Sequence, residues 1–269
     1  MQDRNSSVPG PQFSEVEWRI RRDLAALYRA VALYGWDDLI FTHISARVPS
    51  TDSLVPSGDG SFKTSDTDHF LINPYGSFFE EITASSLVKI DIEGRVVGDA
   101  SQMVNPAGFT IHSAIHSALP DAHFVMHLHT PAMTGVSAQK AGLLPLTQNA
   151  LLLRPQLAYH DYEGVALDLA ERERIIGDIG QRKALMLRNH GTLTWGNSAG
   201  EAFTIMYFLE QACRQQIAAL TAGQGGITQV SQSIQDHCAP LSAGVGYVGA
   251  LVWPGVLRKV AREAPGYDT

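Results

Sequence analysis

Two histidines on one predicted strand are the residues of this sequence best suited to chemistry. They lie in residues 124–130, which read FVMHLHT. In an extended chain, successive side chains point to opposite faces, so Val125, His127 and His129 share one face while the apolar side chains between them line the other. Neutral imidazole is the commonest transition-metal ligand in proteins, and two imidazoles on one face can bind one ion. The alternative is a half-buried strand whose polar face carries two histidines without a metal.

His190 is the candidate for a third ligand. It lies in the turn Asn189-His190-Gly191, between two short apolar segments, residues 184–188 and 192–195, which predict buried strands. The backbone of a tight turn fixes the direction of a side chain, and a metal ligand needs a fixed direction.

Three further histidines lie on elements with a clear periodicity. Residues 41–48 alternate as a strand that carries His43. Residues 106–118 follow Asn105 as a predicted helix, with Pro at its first position. On that helix His112 and His116 are four residues apart and so share one face. We interpret His112 as a pocket residue, His116 as structural, and His43 as either an anion contact or a packed strand residue.

Helices and strands alternate along most of the chain, which predicts a single layered α/β/α domain around a mixed, largely antiparallel sheet. A capping box at Ser14 and Glu17 begins the first helix, and Gly35 closes it. The other predicted elements are a strand at 70–73, a hairpin at 88–97 that turns at Glu93-Gly94, and helices at 83–87, 130–140, 167–179, 198–223 and 251–264, the last interrupted near Trp253-Pro254.

The domain prediction has three parts. Residues 1–13 form a mobile tail, 14–222 form the α/β domain, and 223–269 form an extension that packs on the same domain or on a neighbouring subunit. Residues 49–68, rich in Ser, Asp, Gly and Thr, predict a long and poorly ordered excursion from a hairpin.

Composition narrows the classes of function. The chain has 269 residues and a net charge of −7, which argues against a nucleic-acid partner. No apolar run is long enough for a membrane helix, and the first residues lack the apolar segment of a signal peptide, so we expect a cytoplasmic protein without a membrane partner. Two cysteines are too few for a disulfide framework.

Three motifs taken together resemble the class II aldolase/adducin family. They are NPAGFTIH at residues 105–112, HLHT at 127–130 and LRNHG at 187–191, in order and with similar spacing. The resemblance extends from about Asp23 to Leu220, and the Ala-Gly-Phe at 107–109 is especially similar to the adducin-like branch. It implies the class II aldolase fold and a homo-oligomer, commonly a tetramer.

The resemblance also implies a metal site. In the family's sugar-phosphate aldolases, a divalent metal is held by histidines at the positions of His127, His129 and His190. We therefore expect one divalent transition metal per subunit, and histidine ligands accept Zn, Fe, Mn, Co or Ni. Tyr75 and Gly76 align with a substrate-binding turn, and Gly108, which aligns with the catalytic site, is the third residue predicted to bind substrate.

The sequence departs from those aldolases where they carry their catalytic base and phosphate contacts. Gly108 stands in place of the catalytic Glu, Pro106-Ala107 in place of a phosphate-binding Ser pair, and His43 in place of a phosphate-contacting Asn. More than one residue could take the role of the missing Glu. The candidates are His43, His112, Tyr159 and His160, the last two in a polar loop at 159–164 that we interpret as solvated.

A metal with three neutral ligands keeps its double charge and an open position, which favours a small anionic substrate such as a 2-oxo or 2-hydroxy acid. The preferred hypothesis is therefore a metal-dependent lyase at a carbon–carbon bond beside a carbonyl. Decarboxylation suits the missing base best, because the carboxylate leaves without one. One alternative is a three-histidine Fe(II) oxygenase that acts on an aromatic 2-oxo acid. The other is a non-catalytic, adducin-like assembly domain.

Overall fold

The computed structural model describes residues 13–49, 68–98, 101–164 and 168–269. The predicted tail, except for Phe13, and nearly all of the predicted excursion at 49–68 lie outside the described residues. The remaining chain forms one mixed sheet with helices on both faces, which confirms the predicted fold class.

Seven strands form the sheet in the order β3-β2-β1-β4-β7-β6-β5. Every neighbouring pair is antiparallel except β5 and β6, which are parallel. The strands are β1 (His43–Val48), β2 (His69–Ile72), β3 (Val88–Ile90), β4 (Phe124–Leu128), β5 (Leu157–His160), β6 (Ala184–Leu187) and β7 (Gly191–Gly196).

Eight α-helices accompany this sheet in the described part of the chain. They are α1 (Glu15–Leu33), α2 (Pro106–Ala118), α3 (Pro131–Ser137), α4 (Gln148–Leu153), α5 (Glu171–Ile179), α6 (Ala199–Leu220), α7 (Gln232–Cys238) and α8 (Val245–Glu263). The predicted capping box is confirmed in part, because the Ser14 hydroxyl accepts a hydrogen bond from the Glu17 amide at the start of α1.

The two faces of the sheet carry separate apolar layers, as the alternation in β4 predicts. Phe124, Met126 and Leu128 pack with buried residues of α1, α3 and α6. Val125 packs on the opposite face with apolar residues of α2 and α5. His127 shares the face of Val125, so the face that carries the candidate ligand is covered by α2 rather than open to water.

Three predicted elements are wrong in type or extent. Residues 83–87 form a turn, because Thr83 and Ser86 exchange local hydrogen bonds that compete with a helix. Tyr159 and His160 belong to strand β5 and not to a loop. The last helix, α8, is continuous through Pro254, whose position is exposed, so water can satisfy the carbonyl that the missing N–H leaves free.

The C-terminal segment packs on the domain through α8. This helix contacts α6 and α1, and a Cβ on Gly200 would lie 2.7 Å from the Gly249 carbonyl oxygen, so the two helix backbones touch. In the described part of the chain no single helix has the length and apolar character to cross a bilayer. One bent pair, Gln232–Gly244 with Gly246–Glu263, meets those criteria together by length and composition alone.

Candidate metal centre

Two neighbouring strands bring the three candidate ligands together. β4 ends at Leu128, and β7 pairs with it so that Leu128 lies opposite Thr192. The turn that enters β7 therefore meets the residues that leave β4. The rings of His127, His129 and His190 lie with their centroids 4.7–4.8 Å apart, and one ligand atom from each lies within 4.8 Å of the others.

Local backbone features aim these rings. Asn189 has a φ of 57°, in the left-handed region that Asn tolerates better than most residues, and this turns the chain sharply between β6 and β7. Only glycine fits at position 191, because a Cβ there would lie 2.7 Å from both the His129 ring and the Leu128 carbonyl oxygen. Thr130 then begins α3 as its N-cap, which ends the strand just after His129.

Hydrogen bonds fix which nitrogen of two rings is free. His127 Nδ1 donates to the Thr192 carbonyl oxygen over 3.1 Å, and His129 Nδ1 donates to the Asp38 carboxylate over 3.1 Å. Both partners can only accept, so each neutral ring keeps its lone pair on Nε2. These two Nε2 atoms lie 2.9 Å apart. Two lone pairs at that distance repel each other unless a cation or a proton lies between them.

The electrostatics favour neutral rings at His127 and His190. Burial, followed by the neighbouring imidazoles, holds the pKa of His127 well below its usual range. Burial and His129 lower the pKa of His190 to about 4. Neutral imidazoles are the form that binds metals, and a carbonyl or carboxylate partner on Nδ1 is the usual support of such ligands. The residues present therefore fit a divalent transition metal.

The remaining histidines form a chain of hydrogen bonds behind this centre. His43 Nδ1 lies 2.8 Å from His112 Nε2, and His112 Nδ1 bonds the Ser45 hydroxyl. The same hydroxyl lies 2.7 Å from His116 Nε2, and His116 Nδ1 donates to the Ala122 carbonyl over 2.8 Å. All three rings are buried. The His43 ring lies 5.0 Å from the His127 ring, centroid to centroid, so the chain begins beside the metal centre.

Gly108 lies against this chain. A Cβ there would be 2.7 Å from Cδ2 and 2.9 Å from Nε2 of His43. Gly108 is buried, and the α2 backbone at this position packs closely on the His43 imidazole. The substrate contact at Gly108 stays a prediction.

The other predicted site residues lie elsewhere. The Tyr159 hydroxyl accepts a bond from the Leu143 amide, and Arg188 stacks on the ring. His160 is buried and bonds Asp178 over 2.7 Å. From the predicted loop, Tyr162 is the residue whose ring approaches the centre, 6.4 Å from the ring of His190.

The predicted turn at Tyr75 and Gly76 is present. Gly76 has a φ of 101° and Tyr75 is half-exposed. Within the described residues, neither has a side-chain contact with the three-histidine cluster.

Sequence reasoning missed two contributors. Asp38, which supports His129, lies in the irregular segment after α1, and no spacing signal connects it to residue 129. Ser45 could have been found, because it lies two residues after His43 and so shares its strand face.

This sheet order and the three histidines at the junction of β4 and β7 define a mixed α/β domain with a candidate metal centre. The chain belongs to the class II aldolase and adducin family, since residues 22–217 match the Class II Aldolase and Adducin N-terminal domain.

The relatives of this chain include bacterial aldolase class 2 proteins and adducins. A Caulobacter vibrioides protein, named provisionally as an aldolase class 2 protein, is 57% identical over 94% of this chain and 93% of its own length. Alpha-adducin of Rattus norvegicus is 43% identical over 79% of this chain but only 27% of its own length.

Solved structures agree on the fold. An aldolase II superfamily protein from Pseudomonas syringae has a TM-score of 0.86 and 42% identity, over 96% of this chain and 98% of its own. L-fuculose 1-phosphate aldolase from Glaciozyma antarctica has a TM-score of 0.75 and 27% identity, over 95% and 96% of the two chains.

Proposed function

We propose that this protein is a metal-dependent lyase that acts at a carbon–carbon bond beside the carbonyl of a 2-oxo or 2-hydroxy acid. The observation that carries the proposal is the pair of Nε2 atoms of His127 and His129, 2.9 Å apart with both Nδ1 atoms committed to acceptors. A divalent cation would accept both lone pairs, and three protein ligands would leave it an open position for a substrate, whereas a purely structural site is usually closed by a fourth protein ligand.

His127, His129 and His190 would hold the metal, and Asp38 and the Thr192 carbonyl would orient two of them. When bound, a divalent ion supplies a Lewis acid that polarises a carbonyl and stabilises an enolate. Three neutral ligands leave its charge uncompensated, which favours a small anionic chelating substrate. The family match and the similarity to L-fuculose 1-phosphate aldolase also support a lyase, because aldolases are lyases.

The metal alone does not choose between two lyase reactions. Decarboxylation needs no base at the start, whereas aldol cleavage needs one to take a hydroxyl proton. Gly108 supplies none. The choice depends on whether another residue takes that role.

An adducin-like assembly role is the second candidate, supported by the 43% identity to alpha-adducin. A protein of this kind would need no metal and no substrate. The Fe(II) oxygenase alternative has no support among the relatives described above, and a requirement for oxygen would be its signature. We also propose a cytoplasmic homo-oligomer, for which a tetramer is the expected state.

The test begins with metal content. The protein purified without chelator should contain about one divalent transition-metal ion per subunit, because one site with three ligands binds one ion. His127→Ala and His190→Ala should lose it, while His237→Ala, at an exposed position on α7, should not. Absence of metal in the wild-type protein, or equal metal in all variants, would favour the assembly role.

Activity is then measured on 2-oxo and 2-hydroxy acids, with and without oxygen. A full anaerobic rate excludes the oxygenase. Cleavage of none of the acids by the metal-loaded protein would refute the lyase proposal.

A further inference from the structure

The spacing of two elements sets up the chain of histidines behind the metal centre. His43 and Ser45 are two residues apart on β1 and point to the same face. His112 and His116 are four residues apart on α2 and also share a face. Because both spacings are about 6 to 7 Å, the four side chains interleave as one hydrogen-bonded row.

The end of this row fixes the proton on every ring. The Ala122 carbonyl can only accept, so His116 Nδ1 donates to it and the neutral ring leaves Nε2 as an acceptor. The Ser45 hydroxyl therefore donates to His116 and accepts from His112 Nδ1. His112 Nε2 is then an acceptor, so His43 Nδ1 donates to it. The remaining lone pair of the row stands on Nε2 of His43.

The row is dry and neutral. A cavity beside it, lined by side chains that include Ser45, Phe70 and His112, has a volume of only about 10 Å³, at the lower limit for one water molecule. Burial is the main cause that holds the pKa of His112 and that of His116 well below the usual range, with a neighbouring imidazole and Arg47 contributing. Burial keeps bulk solvent away from these hydrogen bonds, which favours a single order of donors.

The free end of the row faces the site. His43 is only 2% exposed, and Nε2 is the ring nitrogen that takes no part in its bond to His112. The Cδ2–Nε2 edge of its ring lies against Gly108 in the first turns of α2. The ring is also beside His127. A lone pair is thus directed to the region between the start of α2 and the candidate metal ligands.

We propose that His43 is the proton-accepting residue of the reaction, and that His112, Ser45 and His116 are positioning residues that hold its lone pair on Nε2. The inference rests on the proposed lyase function and narrows it. An imidazole that begins without a proton on Nε2 suits a reaction whose first step removes a proton from a hydroxyl. The substrate class is then a 2-oxo acid with a hydroxyl at carbon 4, cleaved by a retro-aldol reaction.

The step balances without a further reactant. The proton of the C4 hydroxyl passes to Nε2 of His43, and the O–H electron pair forms the new C=O bond. The bond between carbons 3 and 4 breaks, and its electron pair moves to carbon 3 as the enolate of the 2-oxo acid. The proton on Nε2 then returns to carbon 3, which gives an aldehyde, a 2-oxo acid and His43 in its original form.

The first test uses the metal-free protein and needs no activity. In full-length protein with ¹⁵N-labelled histidine, the ring signals of His43, identified by their loss in His43→Gln, should show a proton on Nδ1 and none on Nε2. In Ser45→Ala, which breaks the row between His112 and His116, the His43 signals should shift toward a mixture of tautomers. A proton on Nε2 of wild-type His43 would overturn the proposal.

The second test separates this inference from the proposed function. Metal-loaded protein is assayed with 4-hydroxy-2-oxopentanoate, whose cleavage needs a base, and with oxaloacetate, whose decarboxylation does not. His43→Gln should lower kcat for the first by roughly 100-fold or more, the usual contribution of a general base, while metal content and oxaloacetate decarboxylation stay at the wild-type level. His237→Gln is the matched control and should change neither rate.

The outcomes are distinguishable. A wild-type protein that cleaves neither acid contradicts the proposed function and this inference with it. A wild-type protein that cleaves the hydroxy acid, with His43→Gln equally active, contradicts the role of His43 alone. Equal loss of both reactions, or loss of metal in His43→Gln, would show that His43 supports the centre structurally and would overturn the proposal.

Discussion

The buried histidine row should make the protein sensitive to mild acid. His112 and His116 are 3% and 1% exposed, and burial is the first cause that keeps the pKa of each well below its usual value. The unfolded chain binds protons at these rings near pH 6.5, whereas the folded chain does not. Stability is therefore fully present above about pH 6.5 and is lost as the pH falls below it.

The size of this effect follows from the number of rings. Between about pH 7.5 and pH 5.5, each imidazole that stays neutral in the fold costs about 1.4 kcal/mol of stability, so the two together cost about 3 kcal/mol. That is a large share of the roughly 5–15 kcal/mol by which a domain is usually stable. This sum covers His112 and His116 alone. His43 and the ligand histidines add to the total loss in the metal-free protein, so the contribution of one row residue is read from the difference between the wild-type protein and a variant.

Urea unfolding of the metal-free protein, followed by circular dichroism at several pH values, measures this loss. His112→Gln should reduce the loss by about 1.4 kcal/mol, since Gln does not titrate, and His237→Gln should leave it unchanged. The ¹⁵N ring signals of His112 and His116 give an independent check. If these rings are charged in the folded protein at about pH 5.5, the reasoning is refuted.

Two further predictions concern the support of the metal ligands. Asp38→Asn keeps an acceptor for His129 but removes its charge, and we expect metal affinity to fall about 10–100-fold, measured by competition with a chelating dye. Asp37→Asn, next to it and exposed, should have no effect, and equal affinities would remove Asp38 from the centre. Gly191→Ala places a Cβ 2.7 Å from the His129 ring and should cost about 1–3 kcal/mol of stability as well as metal affinity. Gly225→Ala meets nothing within 4 Å and should cost neither, so equal melting temperatures for these two variants would contradict the steric argument.

The sequence predicted the parts of this fold that depend on periodicity. The alternation in β4, the cap of α1 and the Asn-Pro start of α2 follow from local spacing and are present in the structure. The pairing of β4 with both β1 and β7 is different, because it joins residues far apart in the chain. Local pattern carries no information about such pairings, so the approach of Asp38 to His129 could not be foreseen.

The hydrogen-bonded row also depends on a contact between elements that the sequence pattern does not reveal. His112 and His116 could be placed on one helix face, and His43 and Ser45 on one strand face. That the two faces meet is decided by the packing of α2 on the sheet. Tyr159 and His160 were candidates for the site only because of their residue types. They lie on β5 at the far edge of the sheet, where they have other partners.

The two departures from the aldolases at Gly108 and His43 depend on each other. A side chain at position 108 and an imidazole at position 43 compete for the same space, because the Cβ would lie 2.7–2.9 Å from three atoms of the ring. The ring cannot move aside without breaking its bond to His112. The aldolases that this sequence resembles carry Glu and Asn at these positions, a pair in which the helix supplies the long side chain and the strand the short one.

A double-mutant cycle tests this dependence. Gly108→Ala should cost about 1–3 kcal/mol by overpacking, whereas Gly177→Ala, a helical glycine of α5 with nothing within 4 Å of its Cβ, should be neutral or slightly stabilising. Adding His43→Asn should recover much of the loss, giving a coupling energy of about 1 kcal/mol or more between the two positions in urea unfolding. Strict additivity would mean that the backbone adjusts and that the two residues vary independently. Coupling would mean that a side chain at position 108 and an imidazole at position 43 exclude each other.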